Sequence, residues 1–289
     1  MNNFIYEAVL KKTFDTSGDV WNSLIEAGLA NDDGSLNDAT ISRIGGIEPT
    51  TDRAAVEERG GSNEGEVVGA VIGTDTRTRV VHPDTAPYKS IVLLLMKFGD
   101  KMYRGTGFMI KNNVVLTAAH NIYDQQEEKP ADEIYVIGEP KDKAHVRSCN
   151  RFRVSANYVA KTSDDGHYDW GLIKLNEPMD DLGVINIKKA SEAESTALGN
   201  VLIAGYPSMA QGAGTTAMWE AGGAASGYVS AKEILNYKIS TSEGNSGSPV
   251  MISDGTAKTA IGIHVMGGVA ENTAKAIDDE VISSINAFN

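Results

Sequence analysis

Beyond Val71 the chain is a succession of short apolar segments separated by turn residues. Segments 91–98, 106–110, 114–117, 134–137, 152–156, 171–175, 201–204, 218–221, 234–239, 249–252 and 260–264 are each too short for an ordinary helix and are rich in β-branched residues. Such a pattern predicts an all-β fold of barrel or sandwich type. The last stretch departs from it. In 273–288, Ala276, Ile277, Val281, Ile282 and Ile285 recur at helical spacing, which predicts a C-terminal helix packed on the barrel.

Residues before about 65 read differently. Residues 19–27 predict a short helix capped by Asp19, with Val20, Trp21, Leu24 and Ile25 on one face and Gly28 as its stop. Asp32-Asp33-Gly34 marks a turn whose spacing does not match an EF-hand calcium loop, and a second weak helix is expected through Ile41 and Ile44. From Glu48 to Gly69 the composition turns to Glu, Gly, Thr and Ser without apolar periodicity, as in an exposed linker.

With 289 residues, 41% of them hydrophobic and 22% charged, the chain can bury a sizeable core. No apolar run reaches the length of a membrane-spanning helix, and no secretory signal peptide is visible at the N-terminus. A net charge of −13 argues against nucleic acid or an anionic membrane as partner. Cys149 is the lone cysteine, so an internal disulfide is excluded.

The chemistry is carried by Gly244-Asn245-Ser246-Gly247-Ser248-Pro249. Close glycines let the backbone turn tightly, expose the Ser246 hydroxyl and aim the amides of Gly244 and Ser246 at one point, as an oxyanion hole requires. A serine needs a base and a group that orients the base. His120 follows an apolar strand in a small-residue turn, and Asp169 opens another apolar strand, Gly171-Leu172-Ile173-Lys174-Leu175. Asp164 and Asp165 compete for the third role but sit in a polar loop. His82, His145 and His167 lack any such context and read as surface or loop residues.

The set resembles the bacterial glutamyl endopeptidases of the trypsin-like superfamily, found in staphylococci and bacilli. The order His, Asp, Ser is that of chymotrypsin and differs from that of subtilisins and α/β-hydrolases. The carriers are Val71 to Val80, Gly105 to Ile110, Thr117 to Asp124, Tyr168 to Gly171, Gly205-Tyr206-Pro207 and Thr241 to Val250. The resemblance covers about residues 70–289. It implies two antiparallel six-stranded β-barrels with the active site between them, and a protease domain at 70–289 behind an N-terminal extension at 1–69.

The resemblance also implies a specificity. The position before the nucleophile turn holds Ser240 and Thr241, without an acid, which disfavours a pocket for Lys or Arg. In the family, a threonine five residues before the nucleophile and a histidine in a Gly-x-His strand bind the substrate glutamate; Thr241 and His264 match them. An imidazole N–H and a hydroxyl can donate to a carboxylate without a buried permanent charge. Residues 265–267, from Val265 to Gly267, would pair with the substrate backbone as an extra strand.

The expected function is thus a serine endopeptidase cleaving protein or peptide substrates after glutamate and less well after aspartate, as a monomer without cofactor or metal. The extension matches a propeptide in size, so a zymogen is expected, with activation within 64–70. Family membership implies secretion, against the missing signal. Disulfides of the bacillus relatives cannot form here. The rival readings are a trypsin-like protease of other specificity, such as the exfoliative-toxin type, and an interaction protein using the barrel as scaffold. A chaperone-protease of the HtrA type is disfavoured because too few residues follow Ser246 for a peptide-binding domain.

Overall fold

The apolar segments fold into two antiparallel barrels. The computed structural model describes residues 5–47, 74–139, 141–163, 166–193, 200–208, 216–254, 257–268 and 270–288. In the first barrel, strands Val146–Ser155, Gly171–Leu175, Val114–Thr117, Lys101–Lys111, Ile91–Phe98 and Glu133–Ile137 pair in that order, and the last pairs back with the first. Strand Ile91–Phe98 shows why its sequence is an unbroken apolar run. Val92, Leu94 and Met96 face the barrel interior. Ile91, Leu93 and Leu95 point the other way, into a second core that also holds Val20, Trp21 and Leu24. Both faces of the strand are covered, so alternation is lost.

The second barrel follows the path Ala225–Val229, Ile234–Tyr237, Asn272–Ala276, Ala257–Met266, Pro249–Asp254, Val201–Gly205 and Trp219–Gly223. The two ends of that path are halves of one strand interrupted only at Ala224, so the ring closes through the chain itself on six strands. Short strands Thr78–Arg79 and Asn186–Ile187 add to it, the latter in parallel. The fold is all-β and chymotrypsin-like, as expected, with the helix Asp279–Ala287 at its C-terminus.

Three details correct the sequence reading. The C-terminal helix does not begin near Thr273: Asn272–Ala276 is a strand, held between Ile234–Tyr237 and Ala257–Met266. Two sets of ladder hydrogen bonds outweigh the weak helical preference of those residues. The helix starts only where the Asp278 side chain accepts from the Val281 amide. Similarly, the strand expected at 152–156 begins earlier, at Val146, and ends at Ser155, with Ala156 opening a short helix.

The third concerns the N-terminal helix, Ser17–Glu26. Its cap is Thr16, whose side chain accepts from the Asp19 amide while Asp19 bonds back in a capping box. Gly28, at φ +70°, stops the helix as expected. The helix buries Val20, Trp21 and Leu24 against the first barrel. Burial of an aromatic of this size typically contributes about 3–5 kcal/mol. Ahead of it, strand Ile5–Val9, which the sequence did not suggest, pairs with the edge of Val146–Ser155 from Ile5↔Ser155 to Val9↔Arg151. The second helix is real but short, Asp38–Ile41. Residues 5–47 are thus docked on the barrels. The expected linker at 48–69 and the expected activation stretch at 64–70 lie outside the described residues.

Candidate active site

Strands Val114–Thr117 and Gly171–Leu175 are neighbours, paired at Thr117↔Gly171. His120 sits in the turn just after the first, and Asp169 just before the second, so the register alone brings them together. His120 Nδ1 lies 2.6 Å from Asp169 Oδ2, and Asp169 Oδ1 accepts from the His120 backbone amide at 3.0 Å. Both residues are buried. The other ring nitrogen, Nε2, is buried without a hydrogen-bond partner, so the Ser246 hydroxyl is not bonded to it in this structure. The rival acids Asp164 and Asp165 fall outside the described residues.

Ser246 belongs to the second barrel but is stitched to the first. Its carbonyl accepts from the Thr106 amide at 2.8 Å and from Asn121 Nδ2 at 2.9 Å, and Asn121 adjoins His120. Thr106 Oγ1 also donates to the Gly244 carbonyl at 2.8 Å. The turn requires glycine at both flanks. Gly244 has φ +86° and Gly247 +89°, and a Cβ on Gly247 would stand 2.0 Å from the Thr106 carbonyl oxygen. The hydrogen bonds of the turn take the amides of Asn245, Gly247 and Ser248. Those of Gly244 and Ser246, expected to form the oxyanion hole, make no hydrogen bond among the described residues.

The expected pocket residues lie on the opposite flank. His264 is tied to the nucleophile turn through its backbone: its carbonyl accepts from the Gly247 amide at 2.7 Å, and its amide donates to the Ser248 carbonyl at 2.8 Å. Its imidazole is buried, which pulls its pKa down to about 3, with the His120 imidazole adding to the effect. It is therefore neutral at ordinary pH. Tyr237 Oη lies 2.5 Å from His264 Nδ1. Burial raises the Tyr237 pKa well above its usual value, so the hydroxyl keeps its proton. With that hydroxyl donating to Nδ1, the imidazole proton would sit on Nε2, where a carboxylate could accept it.

Thr241 is arranged by the same logic. Its Oγ1 accepts from Asn272 Nδ2 at 3.0 Å, leaving the hydroxyl proton to donate elsewhere. Val265 is buried in the apolar core, with a register shift between His264 and Met266, while Gly267 is partly exposed. The neighbouring strand pairs only as far as Ile263, so Val265 to Gly267 run past its end. Tyr237, Asn272, Thr106 and Asn121 hydrogen-bond to the expected site residues or to the Ser246 turn, and the sequence reading did not single them out. Thr106 and Asn121 stand inside recognisable motifs, whereas Tyr237 reads like any strand aromatic. Among the described residues no group of three or more His, Cys, Asp or Glu is placed to share a metal ion.

Comparison with known proteins agrees with this geometry. A family model described as Trypsin matches residues 84–285. An extracellular metalloprotease of Bacillus subtilis is 30% identical over 224 residues, covering 75% of this chain and 68% of that protein. A glutamyl endopeptidase of Bacillus licheniformis is 28% identical over 270 residues, covering 89% of this chain and 80% of its own length. Among solved structures, a Glu endopeptidase in complex with MPD superposes with a TM-score of 0.65 at 24% identity, over 75% of this chain and 98% of that one. The protease Anisep from Arthrobacter nicotinovorans gives 0.57 at 13%, over 69% of this chain and 94% of that one. With the double barrel and a family match over most of its length, the chain belongs to the trypsin family and is a serine endopeptidase.

Proposed function

We propose that this endopeptidase cuts proteins and peptides on the carboxyl side of glutamate, and less well of aspartate, with Ser246 as nucleophile. His120 Nε2 takes the Ser246 proton as Oγ attacks the scissile carbonyl. Asp169, held on Nδ1, orients the ring and balances the imidazolium that forms. The amides of Gly244 and Ser246 face the developing oxyanion. The imidazolium then gives its proton to the leaving amine, and water repeats the sequence to release the acyl group. This account needs no cofactor and takes the protein as a secreted monomer.

The single observation that carries the glutamate reading is His264, neutral and buried with its Nδ1 against the Tyr237 hydroxyl, an arrangement in which Nε2–H is the donor offered to a carboxylate. Thr241 adds a hydroxyl, and neither Ser240 nor Thr241 is an acid. The names of the Bacillus licheniformis relative and of one structural neighbour are in line with it. Replacing His264 by Ala is expected to lower kcat/KM after Glu by about 10–100-fold, the cost of one donor to a buried carboxylate. The residual rate after an apolar residue should change by less than about threefold, since nothing there meets the imidazole. Equal losses on both peptides would show that His264 does not read the glutamate.

Residues 1–69 are, in this proposal, a pro-segment removed during activation. Glu64 and Glu66 would be sites for the enzyme itself. The new α-ammonium, close to the pocket, would complement the substrate carboxylate. N-terminal sequencing of the active species checks this. A terminus between about Gly65 and Val71 is expected, and full activity in protein that still begins at Met1 would contradict it.

A further inference from the structure

Arg104 has no place in the machinery described so far, yet it borders it. It lies on strand Lys101–Lys111, two residues before Thr106, whose backbone and side chain hold the nucleophile turn. Its Cγ stands 3.3 Å from where a Cβ on Gly244 would be. The residue is 0% exposed, and Nε, Nη1 and Nη2 all lack hydrogen-bond partners. Burial pulls its pKa down to about 10, against the opposing influence of Tyr206 and Asp38. Lys141 lies nearby but is paired with Glu139 at 2.5 Å, whereas the guanidinium has no ion-pair partner among the described residues. A buried, unpaired guanidinium is costly and calls for an anion.

The N-terminal segment runs alongside Arg104. The Arg104 amide donates to the Gly45 carbonyl at 2.8 Å, and Gly46 bridges to Arg104 in parallel. Gly46 is pressed against the nucleophile turn: a Cβ on it would stand 2.4 Å from the Gly244 amide nitrogen. Its own amide reaches Glu243 Oε2 at 3.4 Å. Asp38 lies on the same segment and is anchored by Thr216 Oγ1 at 2.7 Å; it is the carboxylate whose field both Arg104 and Lys141 feel. Residues 38–47 thus lay an acid and a backbone strap over one flank of the turn.

That flank can be assigned. The nucleophile turn is bonded to His264 on one side and to Thr106 on the other. If the His264 side holds the glutamate before the scissile bond, the Thr106 side receives the residues after it. We propose that Arg104 is a specificity-determining residue for the leaving-group half of the substrate, reading an acidic side chain in the first two positions after the cut. Residues 38–47 occupy that subsite until they are displaced, with Asp38 supplying the anion in place of substrate. The inference rests on the protease reading above, with Ser246 as nucleophile.

The test uses the full chain, held until its activity is constant, and internally quenched peptides with one Glu before the cut and Asp, Ala or Lys in the two positions after it. Wild type should favour the Asp peptide over the Lys peptide by about tenfold or more in kcat/KM, a preference typical of one charge pair in a partly desolvated site. The preference should shrink severalfold in about 1 M salt. Arg104→Gln should flatten the series to within about twofold while the Ala peptide stays within about threefold of wild type. Arg104→Lys should keep part of the preference. A flat or salt-insensitive wild-type series overturns the proposal without any variant, and so does a preference that survives in folded Arg104→Gln. Loss of cleavage on every peptide, or cleavage that persists in Ser246→Ala, instead overturns the protease reading and the inference with it.

Discussion

Replacing Ser246 by alanine is expected to lower kcat/KM on a glutamate peptide by about four to six orders of magnitude, the scale seen when such a nucleophile is removed. The fold should be unaffected. The contacts that fix this residue are made by its backbone carbonyl, which accepts from Thr106 and Asn121, and by the glycines on either side. None of them uses Oγ. Circular dichroism and a thermal melt should therefore overlay wild type while activity falls to background. A rate near wild type, in protein free of other proteases, would remove Ser246 from the mechanism.

Asp169→Asn should lower kcat/KM by about 10⁴-fold through the tautomer of a single ring. The carboxylate is engaged at both oxygens: Oδ1 accepts from the His120 backbone amide and Oδ2 meets Nδ1. In the amide, the oxygen is claimed by the backbone N–H, so the NH₂ group must face Nδ1. Nδ1 then becomes an acceptor and the ring proton moves to Nε2, where it prevents the ring from taking the Ser246 proton. The loss should ease as pH rises and hydroxide competes as base. A pH–rate profile parallel to wild type, or a loss below about tenfold, would show that Asp169 does not set the tautomer.

These residues were legible because each sits in a local pattern with few alternative uses. A serine between residues that must adopt positive φ is hard to explain by packing, and His120 and Asp169 sit at the ends of strands whose pairing at Thr117↔Gly171 follows from the fold. The barrels were legible from the short apolar runs. Less legible was whatever depends on long-range contact. Residues 273–276 carry Ala and Lys, which suit a helix, but two flanking strands claim their backbone. Strand Ile5–Val9 exists because Val146–Ser155 offers it an edge. Tyr237 looks like any core aromatic until its hydroxyl is seen on His264, and Arg104 looks like a surface arginine until its burial beside the Gly46 bridge is seen.

The account stands most directly on what the active protein cuts. A mass-spectrometric digest of an unbiased peptide library by the full chain, run beside Ser246→Ala, measures activity and specificity together. The account predicts cuts overwhelmingly after Glu, a minority after Asp, and none above background in Ser246→Ala. Cuts centred on Lys, Arg or apolar residues, or a pattern unchanged in Ser246→Ala, would contradict it.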